Sequence, residues 1–369
     1  DTQPFHWYTE FYSVMAQRGG FDVIIGNPPY VKLSNVKDYQ IEFDSKKCGN
    51  LYAVVVERCL SLVDRYSMFS MIVPISLTGN RKMGYLIKCL DGRTWHSFYS
   101  GDTHPGTLFS GVQQNLCIFI NDRSLNRIER YTSDFLRFSD SGYERDTLFM
   151  AKIAYEVSVD NHIVLKVGSR IGRNVFMKML AFPTGIRQIN VTPNVREVFY
   201  HDVVHYWVKA FCNAPYFRRE GYKPEVSSHY KTITCPSNIQ EVLVAVMSST
   251  MFYMWYLAKS NGRDVAQDDV MNFRINLSYL FSEAELSRNF MNLAKNLVDD
   301  EERNKERVVY QKKSGKVEYD QYWVAGSKPI IDKIDELLAK HYGFTEEELD
   351  FIINYDIKYR MGDELKGSD

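Results

Sequence analysis

The stretch Phe21-Asp22-Val23-Ile24-Ile25-Gly26-Asn27-Pro28-Pro29-Tyr30 decides how this chain is read. Its first half is a short β-branched run of the kind found in buried parallel strands. Its second half stops the strand, because two successive prolines fix the backbone and lack amide donors. At ordinary residue usage, the tetrad Asn-Pro-Pro-Tyr arises by accident in about one chain in a thousand of this length. Loops at the C-terminal ends of such strands commonly carry function.

The residue types suit one chemistry. An exocyclic amine on an aromatic ring is a poor nucleophile, since its lone pair is delocalised. The Asn27 side-chain oxygen and the Pro28 carbonyl can each accept one N–H of such an amine. They thereby stabilise the positive charge that grows on nitrogen as a methyl group arrives. Pro28 and Pro29 hold these acceptors in place beforehand. Tyr30 offers a flat face to a base rotated out of its duplex. No general base is required, because the proton can leave after transfer.

Outward from this motif, the first 120 residues alternate strand and helix signals. Apolar residues recur at helical spacing from Asn50 to about Tyr66, and Ser67–Val73 is a second buried strand stopped by Pro74. A helix over about Asn80–Leu90 and strands at Trp95–Tyr99 and Leu116–Ile120 follow. The alternation predicts an open, mostly parallel α/β sheet. After Asp122 the pattern turns irregular, with turn residues at Asp140-Ser141-Gly142 and Pro183-Thr184-Gly185, and a β-rich piece at Ile163–Val167. A long apolar helix over Ile239–Ala258 interrupts it. The expected domains are a catalytic part at 1–122, a second domain at 123–282 and a helical region at 283–369. In the last, Glu283–Arg307 is amphipathic, and Ser327 caps a helix that closes at Gly343. Thr345 with Glu348 then forms a capping box for a helix to about Arg360. Lys312–Lys316 reads as an exposed basic loop.

Composition excludes several classes. With 45% hydrophobic and 25% charged residues, the chain is neither disordered nor fibrous. A net charge of −1 gives no global basic signal, although DNA enzymes can confine positive charge to one cleft. Six scattered cysteines show no CxxC pair and no Cys/His spacing for zinc, and read as thiols in a reducing compartment. No apolar run approaches a membrane span and no signal peptide opens the sequence. The expected location is cytoplasmic, and no metal site is expected.

The segment Phe21–Tyr30 resembles the catalytic motif of amino-methyltransferases, in the form typical of N6-adenine enzymes. The rest of the sequence resembles gamma-class adenine DNA methyltransferases of type II and IIG restriction–modification systems. Met71-Ile72-Val73-Pro74 matches their strand ending in Val-Pro, and Phe109-Ser110-Gly111-Val112 their aromatic-x-Gly-Val segment. Pro4-Phe5-His6-Trp7, Pro329–Asp332, His341-Tyr342-Gly343 and Asn354-Tyr355-Asp356 add further likeness.

The resemblance implies a partial class I methyltransferase (Rossmann-like) sheet, followed by an α+β target-recognition domain and a helical tail. It implies S-adenosylmethionine as methyl donor, double-stranded DNA as partner, catalysis by Asn27, Pro28, Pro29 and Tyr30, and stacking of the flipped adenine on Phe109 and Tyr30. Within 200–275, Arg218, Arg219, Lys223, His229, Lys231 and Arg263 have the chemistry to neutralise phosphates or read guanine edges. Family order places the cofactor motifs before Asn27, where only 26 residues stand. Gly168-Ser169-Arg170-Ile171-Gly172 has the wrong spacing for a cofactor turn. The cofactor-binding half is therefore expected in an N-terminal segment or a second polypeptide. The same motif also occurs in RNA and protein-amide methyltransferases, and a non-catalytic DNA-recognition module is a further alternative.

Overall fold

Gly20 fixes where the first strand begins. A Cβ there would lie 2.7 Å from backbone atoms of Leu62 and Asp64, and its φ of 146° belongs to glycine. The Phe21 amide then donates to the Leu62 carbonyl. From that point β1 (Phe21–Gly26) runs parallel to β2 (Val63–Pro74). A computed structural model of the chain describes residues 5–36, 40–101, 107–109, 113–125, 127–137, 164–189, 193–313 and 315–362. Asp140–Gly142, Ser110–Val112, Pro4 and Ile163 lie outside these residues. The chain forms two compact units, Asp1–Arg173 and Asn174–Asp369.

The first unit holds a five-stranded sheet in the order β1-β2-β4-β3-β5, with β3 at Arg93–Tyr99, β4 at Leu116–Asp122 and β5 at Glu129–Leu136. β5 thus continues the sheet beyond residue 122. The sheet is mixed, not mostly parallel as expected: β1–β2 and β3–β5 pair parallel, whereas β4 runs antiparallel to both β2 and β3. A parallel neighbour needs a crossover, usually a helix. The sequence from Ser100 to Asn115 carries no helical apolar period. The helix after β1 spans Leu51–Leu60, starts on the Asn50 side chain and buries Tyr52, Ala53, Val54 and Val56. It ends before Tyr66 because β2 already begins at Val63. Residues 80–90 form a 3₁₀ turn, Arg81–Met83, and a short helix, Gly84–Cys89.

β1 departs from expectation in one respect. Its pairing is parallel, but it is an edge strand, with Val23 54% and Ile25 78% exposed. A continuous apolar run reads as buried only when neighbours lie on both sides. Here β2 is its one ladder partner among the described residues.

The second unit has two antiparallel three-stranded sheets. One runs β7-β6-β9 (Ala210–Phe211, Val195–His201, Tyr230–Pro236). The other runs β10-β11-β8 (Glu306–Lys312, Gly315–Gln321, Phe217–Arg219). The expected single helix over Ile239–Ala258 is two helices, Gln240–Ser248 and Thr250–Lys259, bent by 64°. Ser249, extended at ψ 153°, breaks them, and its hydroxyl accepts from the Phe252 amide. The buried Asp335 carboxylate accepts from the Thr250 and Met251 amides at 3.1 and 3.2 Å. These acceptors satisfy donors that a helix start leaves open. Both helices are buried on every side, as an all-round apolar helix must be. No single helix among the described residues is long and apolar enough to cross a membrane.

Nor is the region after 283 helical throughout. After the helix Ala284–Arg303, the β-branched and aromatic Val308-Val309-Tyr310 and Val317/Tyr319 favour the β10–β11 hairpin. Of the expected basic loop, Lys312 and Lys316 belong to this hairpin's strands, and Lys312 pairs with Gly315 at its end. Ser327 precedes the helix Lys328–Tyr342 without capping it, since its hydroxyl donates to Asp300 at 2.7 Å. Gly343, at φ 66°, closes that helix, and Thr345 and Glu348 form the expected capping box. The last expected helix is broken: Glu346–Ile353 ends before Asp356, which takes φ 56°, and Ile357–Arg360 follows.

Candidate functional site

Asn27 stands one residue beyond the C-terminal end of β1, exposed, with Pro28 buried behind it and Pro29 exposed. The register of β1 on β2 places Gly26 opposite Met71, so the loop leaves the sheet alongside Ile72. There Tyr30 turns back. Its hydroxyl lies 2.7 Å from Asn27 Oδ1 and 2.9 Å from the Ile72 carbonyl oxygen. One O–H proton thus serves two acceptors and ties the loop to β2. Asn27 Oδ1 keeps a second lone-pair direction for an incoming donor.

Burial pushes the Tyr30 phenol up to about 12, so it remains a neutral donor at physiological pH. Tyr52, on the helix Leu51–Leu60, packs edge-on against the Tyr30 ring at 6.5 Å. Its own hydroxyl is 3.0 Å from Ser76 Oγ, just past Pro74. Sequence reading missed Tyr52 and the Ile72 carbonyl. Val-Pro marked the end of β2, but nothing local signalled that a backbone oxygen there would anchor Tyr30.

The other expected residues fall in separate places. Phe109 is 38% exposed, and its carbonyl accepts from the Thr107 hydroxyl at 2.8 Å. It makes no ring contact with Tyr30. In the second unit, Arg218 and Arg219 lie on β8, beside β11. Arg218 bonds Glu318 at 3.1 Å, and Arg219 bonds Glu225 at 2.7 Å. Lys223 follows nearby and is exposed.

A second cluster forms around Asp202. His229 Nδ1 is 3.1 Å from Asp202 Oδ1, and Lys231 Nζ is 3.3 Å from Oδ2. The Arg263 loop joins this cluster through its backbone: Val204 N donates to Arg263 O, and Val265 N to Asp202 O. Asn261 Oδ1 shapes that loop by accepting from the Arg263 and Asp264 amides. Four of the six basic groups are thus already held by carboxylates. Lys223 and Arg263 have no acidic partner among the described residues.

The glycine pair nearest in pattern to a cofactor turn, Gly168 and Gly172, is used for other contacts. Gly168 donates its amide to Asp134 at 2.7 Å, and a Cβ there would lie 2.3 Å from Asp134 N. Gly172 donates to Ser169 Oγ. Both serve packing and the start of the helix Arg170–Ala181. Among the described residues, no His/Cys/Asp/Glu group is placed to hold a metal.

The first unit therefore presents an acceptor loop of Asn-Pro-Pro-Tyr type at the end of a parallel strand in a mixed α/β sheet. Residues 1–96, which include that loop, match the Eco57I restriction-modification methylase family. No curated protein matches the chain. Among solved structures, the Type IIL restriction-modification enzyme MmeI in complex with DNA is 12% identical. That match covers 90% of this chain and 56% of that one, with a TM-score of 0.44. The ATP-dependent Type ISP enzyme LlaBIII bound to DNA is 8% identical, over 81% and 31%, with a TM-score of 0.35. The Type I restriction enzyme EcoKI M protein is 11% identical, over 77% and 50%, with a TM-score of 0.24. The chain spans about a third to somewhat over half the length of these three proteins.

Proposed function

We propose that this chain carries the catalytic and target-reading half of a DNA adenine-N6 methyltransferase of gamma-class, restriction–modification type. The observation that carries the reading is Asn27 Oδ1, held at the C-terminal end of β1 by the Tyr30 hydroxyl within a segment that matches a methylase family. Asn27 Oδ1 and the Pro28 carbonyl accept the two N–H groups of the target amine. They stabilise the charge that develops on its nitrogen. The Tyr30 ring, with Phe109, offers stacking surface to the flipped base.

S-adenosylmethionine is the methyl donor of this reading. The exposed apolar edge of β1 supports a cofactor lobe, from an N-terminal segment or a second polypeptide, that continues a Rossmann-like sheet past Val23 and Ile25. Residues 123–282 are assigned to target recognition and 283–369 to a C-terminal region. Arg218, Arg219, Lys223, His229, Lys231 and Arg263 are the proposed contacts to duplex DNA. Lys223 and Arg263 are the most available of these.

The test is Asn27→Ala in the chain supplied with a cofactor lobe. Single-turnover methylation of an adenine substrate should fall by about a hundred- to a thousandfold, the usual cost of removing one preorganised partner. DNA affinity should stay near wild type. A full rate from Asn27→Ala would overturn the mechanism.

A further inference from the structure

The second unit contains a cavity of about 540 Å³ that none of the expected site residues lines. It lies among the ends of β6, β7 and β9, the segment that leaves β11, and the last helical turn. Its volume falls in the range of small-molecule sites. Its walls are rich in aromatic rings from distant parts of the chain. Tyr206 and Tyr359 stand nearly parallel, 10° apart, with ring centres 6.4 Å apart. Trp323, 56% exposed, stands with them in the lining.

Two cations line the same cavity. Arg360 is only 4% exposed, and its guanidinium lies 3.8 Å over the Trp207 ring. Its Nε donates to the Tyr206 carbonyl and its Nη1 to Thr250 Oγ1, whereas Nη2 has no partner. That Nη2 nitrogen is closed off from solvent, so Arg360 adds positive charge to the cavity wall without offering this nitrogen to a ligand. Lys209 also lines the cavity, with no hydrogen bond or ion pair from its ammonium among the described residues. Burial lowers its pKa against the favourable charge of Glu301, whose own carboxyl burial pushes up to about 8. Among the described residues the lining holds one carboxylate, Asp320, and it is occupied by Arg307 and Lys305.

Aromatic walls beside a Lys209 ammonium that holds no ion pair among the described residues call for a ligand that is both a flat ring and an anion. We propose that this cavity binds a single nucleotide, its base against the aromatic walls and its phosphate on Lys209. The nucleotide is either free or one residue of a DNA strand. The proposal rests on neither the Asn-Pro-Pro-Tyr loop nor methyl transfer, so each can fail without the other.

Calorimetric titration of the full chain with dAMP and dTMP, with the matching deoxynucleosides and with a single-stranded dodecamer tests it. The nucleotides should bind more tightly than the nucleosides. Trp323→Ala, an exposed substitution that spares the core, should weaken nucleotide binding about five- to a hundredfold, the loss of one base–aromatic stack. Lys209→Met, checked for folding by its thermal midpoint, should erase the advantage of nucleotide over nucleoside. Binding by mononucleotides alone assigns the site to a free nucleotide, and binding by the dodecamer alone assigns it to a strand. The proposal is overturned if neither binds at millimolar concentration, if Trp323→Ala leaves both affinities unchanged, or if nucleoside and nucleotide bind alike.

Discussion

Replacing Tyr30 with Phe separates the two things that Tyr30 does. The ring stays, including its edge contact with Tyr52, while the hydroxyl that spans Asn27 Oδ1 and the Ile72 carbonyl is removed. One proton shared between two acceptors counts as one hydrogen bond. A neutral bond of that kind is worth about 0.5–1.5 kcal/mol net. Tyr30 is half-buried, so the lower part of that range applies, about 0.5–1 kcal/mol. With a urea slope on the order of 2 kcal/mol per molar, the unfolding midpoint should fall by about 0.3–0.5 M. Catalysis should suffer through position rather than through loss of a partner, since Asn27 keeps its oxygen but not its tether. We expect single-turnover methylation to slow by about tenfold, less than for Asn27→Ala, because misplacement alone can cost up to about a hundredfold. Tyr30→Ala should further lower the population of flipped base, read from 2-aminopurine fluorescence, as a stack worth about 1–3 kcal/mol is removed. Wild-type urea midpoint and wild-type rate in Tyr30→Phe would show that the hydroxyl does not hold the loop.

Three further outcomes are expected. Changing Arg218, Arg219 and Lys231 together to Ala should reduce the salt slope of duplex binding by up to about three, near 0.9 for each phosphate no longer neutralised. The carboxylates now holding these side chains set a smaller effect, and an unchanged slope places the DNA surface elsewhere. Asp335→Ala leaves the Thr250 and Met251 amides without an acceptor, so it should cost about 2 kcal/mol and lower the thermal midpoint by several degrees. Recovery by Asp335→Asn is the check, and a midpoint untouched in the alanine variant would remove Asp335 as the cap of the bend. Burial pushes the Glu301 carboxyl from 4.5 up to about 8, so its contribution to stability is fully present below pH 4.5 and lost as pH rises through 8. Glu301→Gln keeps the neutral shape and should flatten the fall of stability between those values, and a slope as steep as wild type would contradict the assignment.

Local sequence carried the motif and its setting. Asn-Pro-Pro-Tyr at the end of a β-branched run, the Val-Pro end of β2, the Thr345–Glu348 box and the Gly343 stop all follow from near-neighbour chemistry. Capping, proline stops and β-branching act over a few residues, so a window of sequence contains their whole cause. The direction of β4, the exposure of β1, the break at Ser249 and the β10–β11 hairpin depended on partners far along the chain. Asp335 bends a helix pair more than 80 residues before it, and Ile72 anchors a tyrosine 42 residues earlier. The walls of the cavity, from His201 to Gly362, meet only in the folded unit. Sequence thus determined which short segments could form and which loop carries Asn27 and Tyr30. Tertiary structure decided which of them were covered and which charges lost their water, because burial and long-range hydrogen bonds belong to pairs of residues that no local pattern links.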